Sequence, residues 1–310
     1  QIKKLTRGID NIYSYLLLKF SDKHQDHLNQ DDLNYDKLPE FKIIPSKKDN
    51  FTKSVFNEEN NLNEWRRSHG NHSSNRFSNL TKINLSNIQN LDLVWKYEFE
   101  EINRDIQANP IIADNKIFLP TTGNKIISID AISGEKIWEY NVNFTPARRG
   151  MIFWSNNNKS KIYFCAEKNL ISLNAENGKL IKDFGKNGIV KLKKRCKVSP
   201  VIIGDRIVIA TVEPALEVYN INNGKLLWKY YLKEKAEKKR YGGKRFDYSG
   251  GNPWGGISSD INRGIVYLTT GNAGFYFNGV NRPGDNKFSN SIVAIDILNK
   301  KKLWDFQEVE

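Results

Sequence analysis

No stretch of this 310-residue chain approaches the roughly 18 to 20 consecutive apolar residues a membrane-spanning helix needs. The best candidate, IYSYLLLKF at 12–20, is too short and is flanked by charge, and no small-residue cleavage site follows it as it would in a secretory leader. Cysteine is scarce as well. Cys165 and Cys196 are the only two, far apart, and sequence leaves their pairing open. No Cys-x-x-Cys-His is present, which excludes a covalently attached haem within this segment. Helical periodicity is nearly absent after Ile88, so the chain is not a helical bundle. The chain starts at Gln1, not methionine, and stops just past a repeat, so we expect it to be a piece of a longer protein.

What is present in quantity is lysine. Lys and Arg number 48 against 35 Asp and Glu, a net charge of +13. Nucleic-acid binders gather such charge on one stripe. Here it is dispersed, and only KLKKRCK at 191–197 and KEKAEKKRYGGKR at 233–245 are dense. Both read as solvated lysine turns, and we expect no nucleic-acid partner. A polyanion-binding domain is the weakest of the three readings considered.

From Trp65 the text becomes regular. Short Ile- and Val-rich alternating runs, among them NKIISIDA, SKIYFCAEK, SPVIIGDRIVIATV and SIVAIDI, are separated by Asp-Asn, Gly-Asn, Asn-Gly or Gly-Asp turns. The phrase DAISGEKIW at 130–138 returns as NAENGKLIKDF at 174–184, YNINNGKLLW at 219–228 and IDILNKKKLW at 295–304. Taking Gly134, Gly178, Gly224 and Lys300 as equivalent points, the spacings are 44, 46 and 76 residues, and Trp95 lies 43 residues before Trp138. A period of about 40 to 50 residues with several strands per unit predicts an all-β propeller, with about five units between Trp65 and Glu310. Trp95, Trp138, Trp228 and Trp304 are expected to glue each blade to its neighbour. Residues 1–60, with one expected helix around Asp10–Phe20, read as a partly ordered extension, and 61–310 as the propeller portion. The extra residues at Lys233–Arg263 should project toward one face of the ring, where repeat folds tend to place function.

The turn-plus-tryptophan repeat resembles that of the quinoproteins, the dehydrogenases dependent on pyrroloquinoline quinone (PQQ). Three further segments carry the likeness. NEWRRSHGNHSSNRFSNL resembles the family's opening signature, TPARRGMIFW at 145–154 its Arg-Gly segment, and residues 250–307 its Trp-Gly, Thr-Gly-Asn, Pro-Gly-Asp-Asn and Trp-x-Phe-Gln series in order. The likeness covers about 65–310 and implies an eight-bladed propeller of which half to two-thirds is present. An open arc of that kind should be poorly stable and inactive alone, because its strand edges are unpaired.

PQQ is a planar, tricarboxylated o-quinone, so its site needs an aromatic floor, donors for the carboxylates and a hard metal ion against the quinone oxygen. By the resemblance Trp254, among Gly251, Gly255 and Gly256, is the floor; Arg149 pairs with a carboxylate or quinone oxygen; Gln107 touches the cofactor. Asn272 in Thr-Gly-Asn offers an amide oxygen to Ca²⁺, a ligand type calcium accepts. Glu213 is the carboxylate ligand carried over, although the family's Gly-rich loop is shortened here. The catalytic aspartate is expected beyond Glu310, so no catalytic residue is assigned within the chain. The region Asn143–Pro146 lacks the adjacent cysteines of the alcohol-oxidising branch, which leans toward the glucose and quinate branch. The implied protein oxidises a sugar, polyol or other alcohol and passes electrons to a quinone or cytochrome. It would do so in the periplasm or at the periplasmic face of the inner membrane, with membrane association through the N-terminal or a missing segment. The competing expectation is a non-enzymatic propeller scaffold of the outer-membrane assembly type, which shares the repeat.

Overall fold

A computed structural model describes residues 54, 56, 63–99, 107–157, 159–233, 251–273 and 286–308. The chain divides into two compact units, Gln1–Phe51 and Thr52–Glu310. The first, with the expected helix around Asp10–Phe20, lies outside the described residues. Among the described residues no helix is long and apolar enough to cross a membrane.

Among the described residues the alternating runs form sixteen strands in four antiparallel sheets, each a meander of four strands. The first sheet holds β1 (Ile111–Ala113), β2 (Lys116–Pro120), β3 (Lys125–Asp130) and β4 (Lys136–Asn141). The second holds β5 (Pro146–Asn156), β6 (Lys159–Ala166), β7 (Asn169–Asn174) and β8 (Ile189–Lys191). The third comprises β9 (Val201–Ile203), β10 (Arg206–Thr211), β11 (Ala215–Asn220) and β12 (Leu226–Tyr231). The fourth comprises β13 (Ile257–Asp260), β14 (Ile265–Thr269), β15 (Ser291–Asp296) and β16 (Lys301–Gln307). Four complete units are therefore described where the repeat period predicted about five. The fifth is represented by the segment 91–99, whose Trp95, Tyr97 and Phe99 pack on the first sheet, Trp95 there as Trp138 on the second.

The repeated phrase is an Asx turn. Asp130 Oδ1 accepts the amides of Ile132 and Ser133 at 2.9 and 2.8 Å, and Asn174, Asn220 and Asp296 do the same in the other three sheets. Gly178 closes its turn at φ +69°, and a Cβ there would lie 2.6 Å from Trp138. That glycine is needed twice over, for its left-handed backbone and for the indole above it. Trp138 also donates its Nε1–H to the Ala175 carbonyl at 2.8 Å, and Trp95 to Ala131 at 3.3 Å. In the first, third and fourth sheets the tryptophan pairs with the residue just before a β-bulge: Ser128 with Trp138, Val218 with Trp228, Ala294 with Trp304. The bulge re-aims the strand that carries the indole.

Expected blade-to-blade packing holds for Trp95 and Trp138. Trp228 packs against the core, but its buried Nε1 finds no acceptor. Trp304 is 43% exposed and tilts against Tyr267 of its own sheet. The second sheet has no tryptophan in its turn phrase, and there Val190 and Phe184 fill the space beside Gly224.

The core lies between sheet faces. One cluster joins the first and second sheets through Phe118, Trp138, Phe153 and Phe164, and a larger one joins the second, third and fourth through Tyr163, Ile207, Val218 and Val266. Inner strands such as β7 and β11 are almost wholly buried, while the outer β12 and β16 are mostly exposed.

The opening signature is a strap running over the first strands of the first, second and fourth sheets and the segment entering the third. Trp65 exchanges two backbone hydrogen bonds with Ile112 of β1, at 2.8 and 2.9 Å. Arg66 and Ser68 bond with Phe153 and Met151 of β5, and His72 accepts the Ser259 amide of β13 at 2.9 Å. Between them the fully buried Arg67 donates to the Pro200 and Ser199 carbonyls before β9, at 2.8 and 3.1 Å, and to Ser74 Oγ at 2.6 Å.

Truncating Trp138 removes both an indole core contact and a buried hydrogen bond. Trp138→Ala should cost about 3–5 kcal/mol of unfolding free energy, and Trp95→Ala distinctly less because that indole is only half-buried, as measured by urea denaturation.

Candidate cofactor site

Two unrelated stretches of chain meet at one end of the arc. The first is Arg149-Gly150 on β5, at a register shift between Pro146 and Met151 that frees the strand from its partner. The second is the turn 251–256 ahead of β13, which carries Trp254. That turn is backed by Thr270-Gly271-Asn272: Gly271 donates its amide to the Asn252 carbonyl at 3.1 Å, and Gly251 donates to the Phe288 carbonyl at 3.0 Å. A Cβ on Gly251 would overlap the Gly271 carbonyl, and one on Gly271 would lie 2.7 Å from Trp254 Nε1. The indole therefore rests on bare backbone, and it is 54% exposed.

The Arg149 guanidinium stands 5.3 Å from the centroid of the Trp254 ring, a cation–π contact. Both line a cleft of about 670 Å³ with Gln107, Arg195, Cys196 and Lys197. That volume falls in the range of small-molecule sites. Of the sequence-predicted residues, Gln107, Arg149 and Trp254 thus share one cleft. Asn272 faces a second cleft of about 720 Å³ with Asn286, Ser289 and Asn290, one residue removed from the glycine under the indole. Glu213 lines neither. Its carboxylate meets Lys233 Nζ at 3.0 Å and Lys194 Nζ at 3.7 Å, and Lys233 foremost holds its pKa below the usual range.

Sequence reading missed part of the cleft wall. Arg195 and Lys197 belong to KLKKRCK, read as solvated charge, yet they flank Cys196, which is disulfide-bonded to Cys165 with Cα atoms 5.8 Å apart. The Cys196 amide also bonds to the Glu167 carbonyl at 3.0 Å. A cysteine inside a basic run was the available signal, but its partner was invisible without the fold. Arg148, Arg149, Arg195 and Lys197 all line the cleft, and among the described residues none has a carboxylate within ion-pair distance; Glu167 is the one acidic side chain on the wall. Four unpaired cations around an exposed indole suit a flat polyanion, so these residues fit a tricarboxylated quinone. The donor set for calcium is another matter. Asn272 offers one amide oxygen, Glu213 is already occupied by ammonium groups, and no group of three or more His, Cys, Asp or Glu among the described residues could hold a metal ion. The described residues do not assemble a calcium site.

The strap lies beneath the cleft. His69 is buried and His72 half-buried, and both pKa values fall to about 4. Burial is the largest cause for each. Arg67, Arg76 and Arg149 add to it for His69, and Arg67 and Arg66 for His72. Burial alone lowers Arg67 to about 9, so it stays charged at neutral pH.

An open arc of four-stranded meanders with an arginine over an exposed indole at its mouth defines a quinoprotein-type propeller. The family model for the β-propeller domain of glucose/ethanol/alcohol (PQQ) dehydrogenases matches residues 65–310, and the chain belongs to that family. Quinohemoprotein alcohol dehydrogenase ADH IIB of Pseudomonas putida is 28% identical, over 79% of this chain and 39% of its own length. Quinoprotein glucose dehydrogenase A of Acinetobacter calcoaceticus is 26% identical, over 75% of this chain and 36% of its own length. The quinate/shikimate dehydrogenase (quinone) of Acinetobacter baylyi is also 26% identical, over 76% and 36%. The crystal structure of the quinohemoprotein alcohol dehydrogenase from Comamonas testosteroni matches with a TM-score of 0.63 at 21% identity, over 79% of this chain and 41% of that one, a likeness of fold. The chain spans about two-fifths of the length of these curated relatives.

Between pH 6.5 and about 4 the unfolded chain binds protons that the folded His69 and His72 refuse. Stability should therefore be full above pH 6.5 and fall as the pH drops toward 4, by up to about 1.4 kcal/mol per pH unit for each imidazole. Urea midpoints at pH 7 and pH 5 measure this, and a His69→Asn/His72→Asn pair should flatten the slope.

Proposed function

We propose that this chain forms the cofactor-binding part of a PQQ-dependent dehydrogenase that oxidises a sugar, polyol or other alcohol. The observation that carries the reading is the Arg149–Trp254 pair, 5.3 Å apart, in a cleft lined by unpaired cations. Bound PQQ supplies a two-electron acceptor, taking hydride equivalents from a carbinol carbon. The exposed Trp254 face gives the flat ring its floor, and the glycines behind it keep that floor rigid. Arg149 forks onto a carboxylate or quinone oxygen, Gln107 donates its amide N–H, and Arg195 and Lys197 neutralise the remaining carboxylate charge. The disulfide at Cys196 anchors the backbone that carries those two cations.

Calcium enters this proposal through the family resemblance and the Asn272 amide, not through an assembled donor set. The substrate branch rests on the missing adjacent cysteines and leans toward sugars and polyols, although the relatives include alcohol, glucose and quinate dehydrogenases at similar identity. Electron transfer to a quinone or cytochrome is proposed on the same family grounds. A periplasmic setting is supported by the disulfide, a bond that persists in oxidising compartments. Against the scaffold alternative, the discriminating trio is Arg149, Trp254 and Asn272: the first two share the cleft, while Asn272 lines the neighbouring one, next to the glycine behind the indole.

The test is reconstitution of the full-length protein with PQQ, followed by dye reduction with sugars and polyols. Quenching of tryptophan emission should report binding. Trp254→Ala and Arg149→Ala should each weaken it by about 10- to 100-fold, the loss expected for a stacking face or a charge-assisted hydrogen bond. Absence of any PQQ binding by the unsubstituted protein would end the proposal.

A further inference from the structure

Arg149 and Trp254 lie 105 residues apart in sequence and on different sheets, so something must fix their separation. No strand pairing joins β5 to the turn at 251–256. The strap does. Ser68 donates its amide to the Met151 carbonyl at 3.1 Å, and its Oγ accepts the Met151 amide at 3.1 Å, a two-point clamp on the residue after Gly150. A Cβ on Gly150 would overlap Ser68 Oγ, so the strap lies directly against the Arg149-Gly150 backbone. The next residue, His69, does the same on the other side. A Cβ on Gly256 would lie 2.8 Å from His69 Cε1 and 3.3 Å from Nδ1, and Gly256 itself has φ +113°. Two consecutive strap residues thus touch two motif glycines, each within two residues of a cleft side chain. His69 is 7% exposed and close enough to Arg149 to feel its charge.

We propose that Ser68 and His69 are positioning residues of the cleft, setting the separation of the Arg149 guanidinium and the Trp254 indole and thereby the seat of the quinone. This rests on the PQQ reading for its functional consequence, though not for its geometry. A neutral imidazole edge fits the space that Gly256 leaves. A smaller side chain lets the 254–256 turn sink, and a bulkier one lifts it. Arg67 holds the strap in register from below through its three hydrogen bonds, so Ser68 and His69 have a fixed base to act from.

His72 is the internal control. Its pKa is depressed as far as that of His69, but it is less deeply buried, meets β13 through its backbone carbonyl and abuts no motif glycine. The experiment compares His69→Ala, His69→Gln, Ser68→Ala and His72→Ala in the full-length protein. Trp254 emission, taken as the difference between each variant and the same variant carrying Trp254→Phe, is read first without cofactor. PQQ affinity and kcat follow.

We expect His69→Ala to change the acrylamide quenching of Trp254 and to weaken PQQ binding about tenfold or more, since small misplacements of a binding group are costly. His69→Gln, neutral and planar, should recover most of that loss, and Ser68→Ala should move both readouts in the same direction. His72→Ala should lower Tm while leaving both readouts within about twofold. If His69→Ala shifts only Tm, or His72→Ala shifts affinity and Trp254 emission equally, the proposal falls. Should His69→Ala fail to fold, the same two readouts on Ser68→Ala decide it. If the unsubstituted protein binds no PQQ, the functional reading fails by itself, and the cofactor-free Trp254 emission still decides the positioning role.

Discussion

A single buried guanidinium ties this arc together. Arg67 is enclosed on all sides, and three of its donors are taken by Ser74 Oγ and the carbonyls of Ser199 and Pro200. Desolvating an arginine is expensive, and the cost is offset only while those acceptors remain in place. The same acceptors would be left unsatisfied without it. That mutual dependence holds the strap against β1, β5, the approach to β9 and β13 at once, adding a polar tie across sheets that also meet through apolar packing, the Trp138–Ala175 and Tyr163–Ile221 hydrogen bonds and the disulfide. The first strands of three meanders and the approach to the remaining one are thereby held by one segment.

The strap runs beneath the mouth where the arginine and the indole meet, so the element that joins the sheets also lies against the candidate cleft. The glycines at 150 and 256 read in one dimension as turn-formers. In three dimensions they are the places where the strap's side chains need room. Around them the cleft collects unpaired positive charge from β5 and from the disulfide-held segment, which suits a polycarboxylate more than a neutral ligand.

Much of the fold was legible because the repeat is local. An Asp or Asn opening a turn, a glycine closing it and a tryptophan four residues on can be read from neighbours in sequence; the opening residue recurs at Asp130, Asn174, Asn220 and Asp296, with Lys300 in the glycine's place in the last. The limits of the rule were less legible. The second sheet replaces the indole with Phe184 and Val190, and Trp304 packs against its own sheet. Of the site, Gln107, Arg149 and Trp254 were found by resemblance and do converge. Asn272 faces a neighbouring cleft, and Glu213 is occupied by two lysines, one of them 20 residues away in sequence, a pairing no motif encodes. Ser68 and His69 were passed over because nothing in RRSHGNHSS distinguishes a turn from a strap.

The sequence by itself determined the class of fold, the period of its units and the chemistry available at Arg149 and Trp254, because strand alternation, turn residues and motif spacing are short-range properties of the polymer. Tertiary structure decided which of those groups meet. Arg67 reaching carbonyls 132 and 133 residues away, Cys165 closing on Cys196 and Glu213 turning to lysine all depend on how sheets stack. Contacts at that distance are set by the packing of the whole arc, and no local pattern of residues carries them.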